Sequence, residues 1–444
     1  MSLAPPPRID LSAHAARARA ARGPAPEGRV RDVVGVLVEI EGLSAPIGGQ
    51  LEIRLPGQKL TLEVVGFRHG RLLAAPLGST AGLLPGVAAR ASDEASDVPV
   101  GDALLGRILD AFGAPMDGHG APAVTTSVPL FARPPPPFSR RPIARPMATG
   151  VRALDALLPL GRGQRIGLFA GTGVGKSTLL GMMCRHSDAD VIVVGLIGER
   201  GREVGDFVRN ALGEKGLARS VVVAATGDAP PLVRARGALR ATAIAEHFRS
   251  RGKSVLLVMD SVTRYAMALR EASLAAGEPP LTKGYTPTVF AALPMLLERA
   301  GNDDGPGSIT GVYTVLVEGD DLSDPIADAV RGILDGHVVL SRTLADRGCF
   351  PSIDVLRSVS RVMHDVSTRE HVELVTRARD ALATYADAAD LIQIGAYVSG
   401  SDARVDASRV VVPRIEAMMR QRLDDVVSRD AALAALGAAV GGAS

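Results

Sequence analysis

The rhythm of apolar and polar positions along the 444-residue chain changes three times. From about residue 28 to 93, short β-type runs at 32–40, 50–54, 60–67 and 71–75 are broken by glycines. Short strands at close spacing with glycine turns predict a small antiparallel barrel. From 150 to about 345, near-continuous apolar runs at 164–169, 191–197, 220–225, 254–259 and 311–316 alternate with helical stretches, notably 231–251. Strands that are apolar on both faces with helical crossovers predict a parallel sheet covered on both sides, with its site at the carboxyl ends of the strands. From about 376 the pattern is helical and Ala-rich. Ile415, Met418 and Met419 recur at helical spacing and are expected to share a buried face. Glu416 and Arg420 stand four apart and are expected to pair on the solvent side. The last stretch, 431–444, is expected to fray. This reading divides the chain into a tail (1–25), a β-barrel (26–95), an α/β nucleotide-binding domain (96–375) and a C-terminal helical domain (376–444).

Two segments fit no element. Residues 131–146 are rich in proline and arginine, with four consecutive prolines, and are expected to run extended over a domain surface. Within 1–25, residues 11–22 read either as a short basic helix formed on a partner or as a solvated tail. Composition narrows the function classes. A net charge of +2 offers no global field for nucleic acid or an anionic membrane. Aromatics at 3%, with no Trp, disfavour a base-stacking platform. Cys184 and Cys349 show no metal or disulfide spacing, which fits a reducing cytosol. There is no run of about 18 apolar residues to span a membrane, and no apolar core of a secretory signal at the N-terminus.

The candidate chemistry sits at the ends of the apolar runs. After the run 165–169 come Ala170, Gly171, Thr172, Gly173, Val174, Gly175, Lys176, Ser177 and Thr178, opening into a helical stretch. Strand, glycine loop and helix together are the setting of a phosphate-binding loop, in which backbone N–H groups and the helix dipole face phosphate oxygens. Lys176 is one of only five lysines against forty-five arginines. It would reach the β- and γ-phosphates, and Ser177 would hold Mg²⁺. The run 255–259 ends in Asp260, placed to orient a water on that Mg²⁺. The run 191–197 leads into Gly198-Glu199-Arg200-Gly201-Arg202-Glu203. By spacing alone this is equally a solvated charged turn or the seat of a general base at Glu199, with Arg200 on a phosphate or on Glu199. Arg361 suits the spread charge of a transferring phosphoryl group, but spacing alone leaves it one arginine among many. Phe350 reads either as core or as a cover for an adenine ring.

Taken together, the motifs at 170–177, 196–204, 260–271, 277–287, 313–321 and 333–342 resemble those of the type III protein-export ATPases, relatives of the catalytic subunits of rotary ATP synthases. The resemblance spans about residues 26–420. It implies a RecA-like P-loop core between an N-terminal β-barrel and C-terminal helices, forming a homohexamer with ATP at subunit interfaces. By matching position it implies that Glu199 activates water, that Arg200 and Arg264 lie near the nucleotide, and that Asp260 is the Walker-B carboxylate. It puts Phe350 over adenine and makes Arg361 the finger reaching a neighbour's γ-phosphate. It implies Mg²⁺-dependent ATP hydrolysis that releases export cargo from chaperones into a membrane export gate, with a stalk-like regulatory partner and no nucleic acid. Such an enzyme works in the cytoplasm, peripheral to the inner face of the membrane. The segment 390–406 and Lys283-Gly-Tyr-Thr-Pro are more similar to the flagellar branch than to the injectisome branch. Ala403 and Gly205 depart from the usual pattern. Three other functions are weighed. A rotary-pump subunit requires a partner chain. An RNA-translocating hexamer requires a basic or aromatic face, and the few aromatics in 26–93 argue against it. A non-catalytic regulator is at odds with the presence of both Lys176 and Glu199.

Overall fold

In a computed structural model the described residues are 26–92, 97–317 and 321–441, in two compact units that divide between Ala95 and Ser96. The tail segment 11–22 lies outside them. The first unit is a closed six-stranded barrel of β1 (Glu27–Val34), β2 (Leu37–Glu41), β3 (Gln50–Leu55), β4 (Gln58–Arg68), β5 (Arg71–Pro76) and β6 (Ala88–Ala91). Its order is β1-β2-β5-β4-β3-β6. Alternate residues point inward, so Val30, Val38, Ile40, Leu51, Ile53, Leu62 and Val64 fill the interior. Two expectations are corrected. The run 32–40 is not one strand but most of a hairpin, because Gly35 takes φ +60° and reverses the chain. The barrel is closed by β6, an Ala-rich strand that pairs with both β1 and β3. Alanine carries little β-propensity, so the apolar pattern gave no sign of it.

The second unit is built on a sheet of β7 (Ile108–Leu109), β8 (Arg165–Ala170), β9 (Val191–Ile197), β10 (Ser220–Ala225), β11 (Ser254–Asp260), β12 (Ser308–Leu316), β13 (Gly336–Leu340) and β14 (Ile353–Ser360). They lie in the order β14-β13-β8-β12-β11-β9-β10-β7. All neighbours are parallel except β13 and β14. Every residue of β9, β10 and β11 is buried, which is why these strands read as unbroken apolar runs. Helices α1 (Arg152–Leu157), α2 (Lys176–His186), α3 (Pro231–Ser250), α4 (Val262–Ala275) and α5 (Pro325–Ile333) belong to this layer. The segment 131–146 runs extended apart from one 3₁₀ turn, Pro137–Ser139. It enters a ladder only at Pro146, which pairs with Gly161, and is otherwise held by Arg140 donating to the Ala300 carbonyl, Arg141 to the Gly307 carbonyl, and Asn302 to the Arg141 and Pro142 carbonyls.

The C-terminal helices are α6 (Arg369–Gln393), α7 (Ala403–Met419) and α8 (Arg429–Val440). Ile415, Met418 and Met419 are buried together on α7. The expected Glu416–Arg420 pair is absent from the ion pairs of the described residues. Arg420 is the capping residue of α7 and has an extended backbone, so its side chain leaves the helical line and donates to Cys349 Sγ at 3.2 Å. The expected fraying of 431–444 is also corrected as far as Val440. Ser428 Oγ caps α8 by accepting from the Ala431 N–H, and Ala432, Leu436, Ala439 and Val440 are buried in one core with Leu154 of α1. Among the described residues no helix is long and apolar enough to cross a membrane.

Candidate functional site

The loop between β8 and α2 is the centre of the site. Gly175 caps α2 with φ +88°, a left-handed conformation that turns the loop into the helix. A side chain there would also meet the Phe350 ring at 3.2 Å, so the aromatic leans directly on the phosphate loop. Three neighbouring strand ends bring the charged groups to the same place. Lys176, at the first turn of α2, sets its Nζ 2.5 Å from Asp260 Oδ1 and 3.9 Å from Glu199 Oε1. Asp260 ends β11, is buried, and also accepts a 2.7 Å hydrogen bond from Thr314 Oγ1 on β12. Glu199 stands two residues past the end of β9.

Lys176, Glu199 and Asp260 line one cleft of about 420 Å³ together with Gly171, Thr172, Gly173, Gly175, Ser177, Thr178, Arg200, Glu203 and Arg264. Val174 is the loop residue that turns away into the core, fully buried. Burial pushes the Glu199 carboxyl up to about 7, helped by a hydrogen bond shared with Glu203 and by the nearby charge of Asp260. The same hydrogen bond holds Glu203 below the ordinary carboxylate range. A carboxyl poised near neutrality beside a phosphate loop suits proton exchange with water. Arg264 has its Nε buried with no acceptor among the described residues, at the edge of the cleft. An anionic oxygen is the partner that group lacks.

Ser177 is exposed to the cleft and Asp260 faces the lysine beside it. A hydroxyl and a single carboxylate are the oxygen donors that Mg²⁺ takes from a protein when phosphates and water complete its shell. Among the described residues no cluster of three or more His, Cys, Asp or Glu forms an all-protein metal cage.

Two of the expected residues are not placed to act on Glu199 or within this cleft's interior. Arg200 lines the cleft but is largely exposed and pairs with Glu203 at 3.6 Å, not with Glu199. Arg361 is outside the cleft altogether. It is exposed, and its guanidinium rests on the carbonyls of Leu334 and Arg331. Phe350 lines an adjoining cleft of about 580 Å³ with Gly175, Thr178, Arg420, Gln421 and Leu423. Gln421 is the hub of that side. Its N–H donates to the Phe350 carbonyl and its Nε2 to the Gly150 and Asp425 carbonyls, while its Oε1 accepts from the Arg152 N–H.

Motif reading missed three contributors. Glu203 had a signal, since it stands one helical turn beyond Glu199. Thr314 lies inside the 313–321 motif with no role to mark it, and the segment 420–425 had no signal, because their proximity is made only by the sheet order and by the packing of α7.

The family model of the ATP synthase alpha/beta family nucleotide-binding domain matches residues 150–360, and that of the T3SS EscN ATPase C-terminal domain matches 367–438. The chain is 51% identical to the flagellum-specific ATP synthase of Salmonella typhimurium, over 92% of this chain and 92% of that protein. It is 49% identical to the type 3 secretion system ATPase of Xanthomonas euvesicatoria, over 88% of each chain. Among solved structures, it is similar to the assembled ATPase EscN of the enteropathogenic E. coli type III secretion system, with a TM-score of 0.89 at 44% identity. In complex with its central stalk EscO, EscN gives a TM-score of 0.86 at 43% identity, and both comparisons cover 93% of this chain and 100% of the other.

Proposed function

The chain belongs to the ATP synthase alpha/beta family, in its type III secretion branch, and from this premise we propose that it hydrolyses Mg²⁺·ATP to energise type III protein export, in the flagellar apparatus. One observation carries the chemistry. Lys176, Glu199, Asp260 and the partnerless Arg264 Nε converge on a single cleft over a glycine loop. Phosphoryl transfer needs positioning and charge neutralisation more than covalent help. The N–H groups of Gly171 to Thr178 and the start of α2 cradle the phosphates. Lys176 exchanges Asp260 for phosphate oxygens, and Arg264 takes another. Ser177 and Asp260 would hold Mg²⁺, which would supply neutralisation of the phosphate charge. Glu199 accepts a proton from the attacking water, and Glu203 then accepts the hydrogen bond of the protonated Glu199. Phe350 covers the base.

Nothing within the cleft of one subunit supplies Arg361. It is exposed and, among the described residues, paired with no carboxylate, as suits a finger offered to the next copy around a ring. The fit to assembled EscN supports a homohexamer, and the complex of EscN with its central stalk EscO supports a stalk-like partner. Export chaperones, their cargo and a gate at the inner face of the membrane complete the reading. The flagellar branch is favoured by segment 390–406. The 49% identity to a Xanthomonas type 3 secretion ATPase supports injectisome service as the second reading.

The test is Mg²⁺-dependent ATPase rate per subunit against protein concentration, for the parent, Glu199→Gln and Arg361→Ala. Specific activity that rises with concentration, with both variants down by about 10³ or more, is expected. A parent inactive at every concentration would send the search to a partner chain of a rotary pump. Restoration of motility in a flagellar-ATPase deletion strain separates the two export branches.

A further inference from the structure

We propose that Asp335 is a positioning residue for Arg361, tying the finger that one subunit offers its neighbour to the strand that carries that subunit's own phosphate loop. The inference rests on the reading of Arg361 as a finger. The backbone N–H of Arg361 donates to the Asp335 carbonyl at 3.1 Å. Its guanidinium lies on the Leu334 and Arg331 carbonyls at 3.2 and 3.4 Å, at the C-terminal end of α5. Those carbonyls form the negative pole of that helix, a natural rest for a cation. The whole platform under Arg361 is therefore residues 331–335.

That platform is fastened to the start of β8. Asp335 accepts a bidentate pair from Arg165, Nε to Oδ2 and Nη2 to Oδ1, both at 3.0 Å. Its Oδ2 also accepts the Arg165 N–H at 2.9 Å, and its own N–H donates to the Arg165 carbonyl at 2.8 Å. The preceding residue reinforces the joint. Gln164, fully buried, donates from Nε2 to the Asp335 carbonyl and to Ser360 Oγ, each at 3.2 Å. Ser360, next to the finger, donates in turn to the Pro159 carbonyl at 2.7 Å. Arg165 opens β8, Gln164 immediately precedes it, and β8 ends in the phosphate loop. A planar bidentate pair fixes direction as well as distance, which a single hydrogen bond does not. Shortening or neutralising Asp335 would free the platform while leaving the far end of β8 pinned between β12 and β13.

The experiment uses full-length protein at concentrations where the parent's specific activity has saturated. Asp335→Asn is expected to lower kcat by about 10- to 100-fold, the scale of an ångström-sized misplacement of a catalytic group. Its affinity for the fluorescent analogue mant-ATP with Mg²⁺ should stay within about twofold of the parent, because its own phosphate loop is intact. Mixing it with Glu199→Gln separates positioning from general damage. A Glu199→Gln subunit has no base but an undisturbed finger, so it completes the site of an Asp335→Asn neighbour. At equal proportions about a quarter of the interfaces in a randomly mixed ring are then productive, and activity should exceed that of either variant alone. Gln164→Ala, which removes the second fastening, should show the same pattern more mildly and carries the test if Asp335→Asn does not fold.

Weakened mant-ATP binding, or no recovery on mixing, would show that Asp335 serves its own site and overturn the inference. Normal kcat in both variants while Arg361→Ala is inactive would also overturn it, leaving the finger reading in place. Normal hydrolysis by Arg361→Ala would instead remove the finger reading itself.

Discussion

Glu199 sits close enough to neutrality for pH to report on it. Its carboxyl is pushed up to about 7 by burial, by the hydrogen bond with Glu203 and by the charge of Asp260. As a base it works only when deprotonated. With a midpoint of about 7, roughly one-tenth of the free enzyme is competent at pH 6 and nine-tenths at pH 8, so kcat/KM should rise about tenfold between them. The assay is kcat/KM for Mg²⁺·ATP across pH 5.5–8.5 at fixed ionic strength. Glu203→Gln removes one negative neighbour and the acceptor that holds the Glu199 proton. Both changes favour the ionised Glu199, so the acid limb should move to lower pH and less activity should be lost at pH 6. A flat parent profile between pH 6 and 8, or a limb that moves upward in Glu203→Gln, would refute the assignment of Glu199 as the base.

The same carboxyl has a stability sign. Its folded pKa lies above the ordinary 4.5, so its contribution is fully present below pH 4.5 and is lost as pH rises through about 7. Glu199→Gln should therefore be more stable than the parent at pH 8, by roughly 1–3 kcal/mol after allowing for solvent screening, and no more stable at pH 4.5, by urea denaturation. Lys176→Ala should abolish mant-ATP binding and cost about 3 kcal/mol, since it leaves the buried Asp260 without its cation. Lys176→Arg, which keeps the charge, should recover most of that stability in the same denaturation series but little of the hydrolysis. Leu436→Ala should cost about 2–5 kcal/mol, because Leu436 is fully buried on α8. A change below 0.5 kcal/mol would mean that α8 does not dock.

The central sheet was legible because β9, β10 and β11 carry nothing but buried residues and end in turns that bear the charges. An apolar run with Asp260 or Glu199 just past its end names both strand and site. The barrel was legible where alternation was strong, as in β3 and β4, and opaque at β6, whose Ala-Ala-Arg-Ala sequence is held in place by two neighbours and not by its own preference. The turn at Gly35 was hidden by valines on either side of it. Helix α8 was misjudged for a related reason. Its face of Ala and Leu looks weak in isolation and becomes core only against α1. Arg420 failed as a helical pair because the helix ends one residue before it, and helix ends are the least readable part of a pattern. The joint of Gln164 and Arg165 with Asp335 spans 170 residues of sequence, and only strand order brings it together.

Gln421 carries a consequence of a different kind. It links α1, the Phe350 loop and the end of α7 through four hydrogen bonds. His186, at the far end of the phosphate-loop helix α2, meets the Leu423 carbonyl, and Arg185 pairs with Asp424. Nucleotide that drew Phe350 onto its base would pull on the root of the C-terminal helices. Linkage is reciprocal: whatever free energy nucleotide spends in reorienting those helices, a load placed on them returns as a change in nucleotide affinity. A partner bearing on α6 and α7 would hold a brake or an accelerator on ATP release without touching the nucleotide, and Gln421→Ala would be the cut cable.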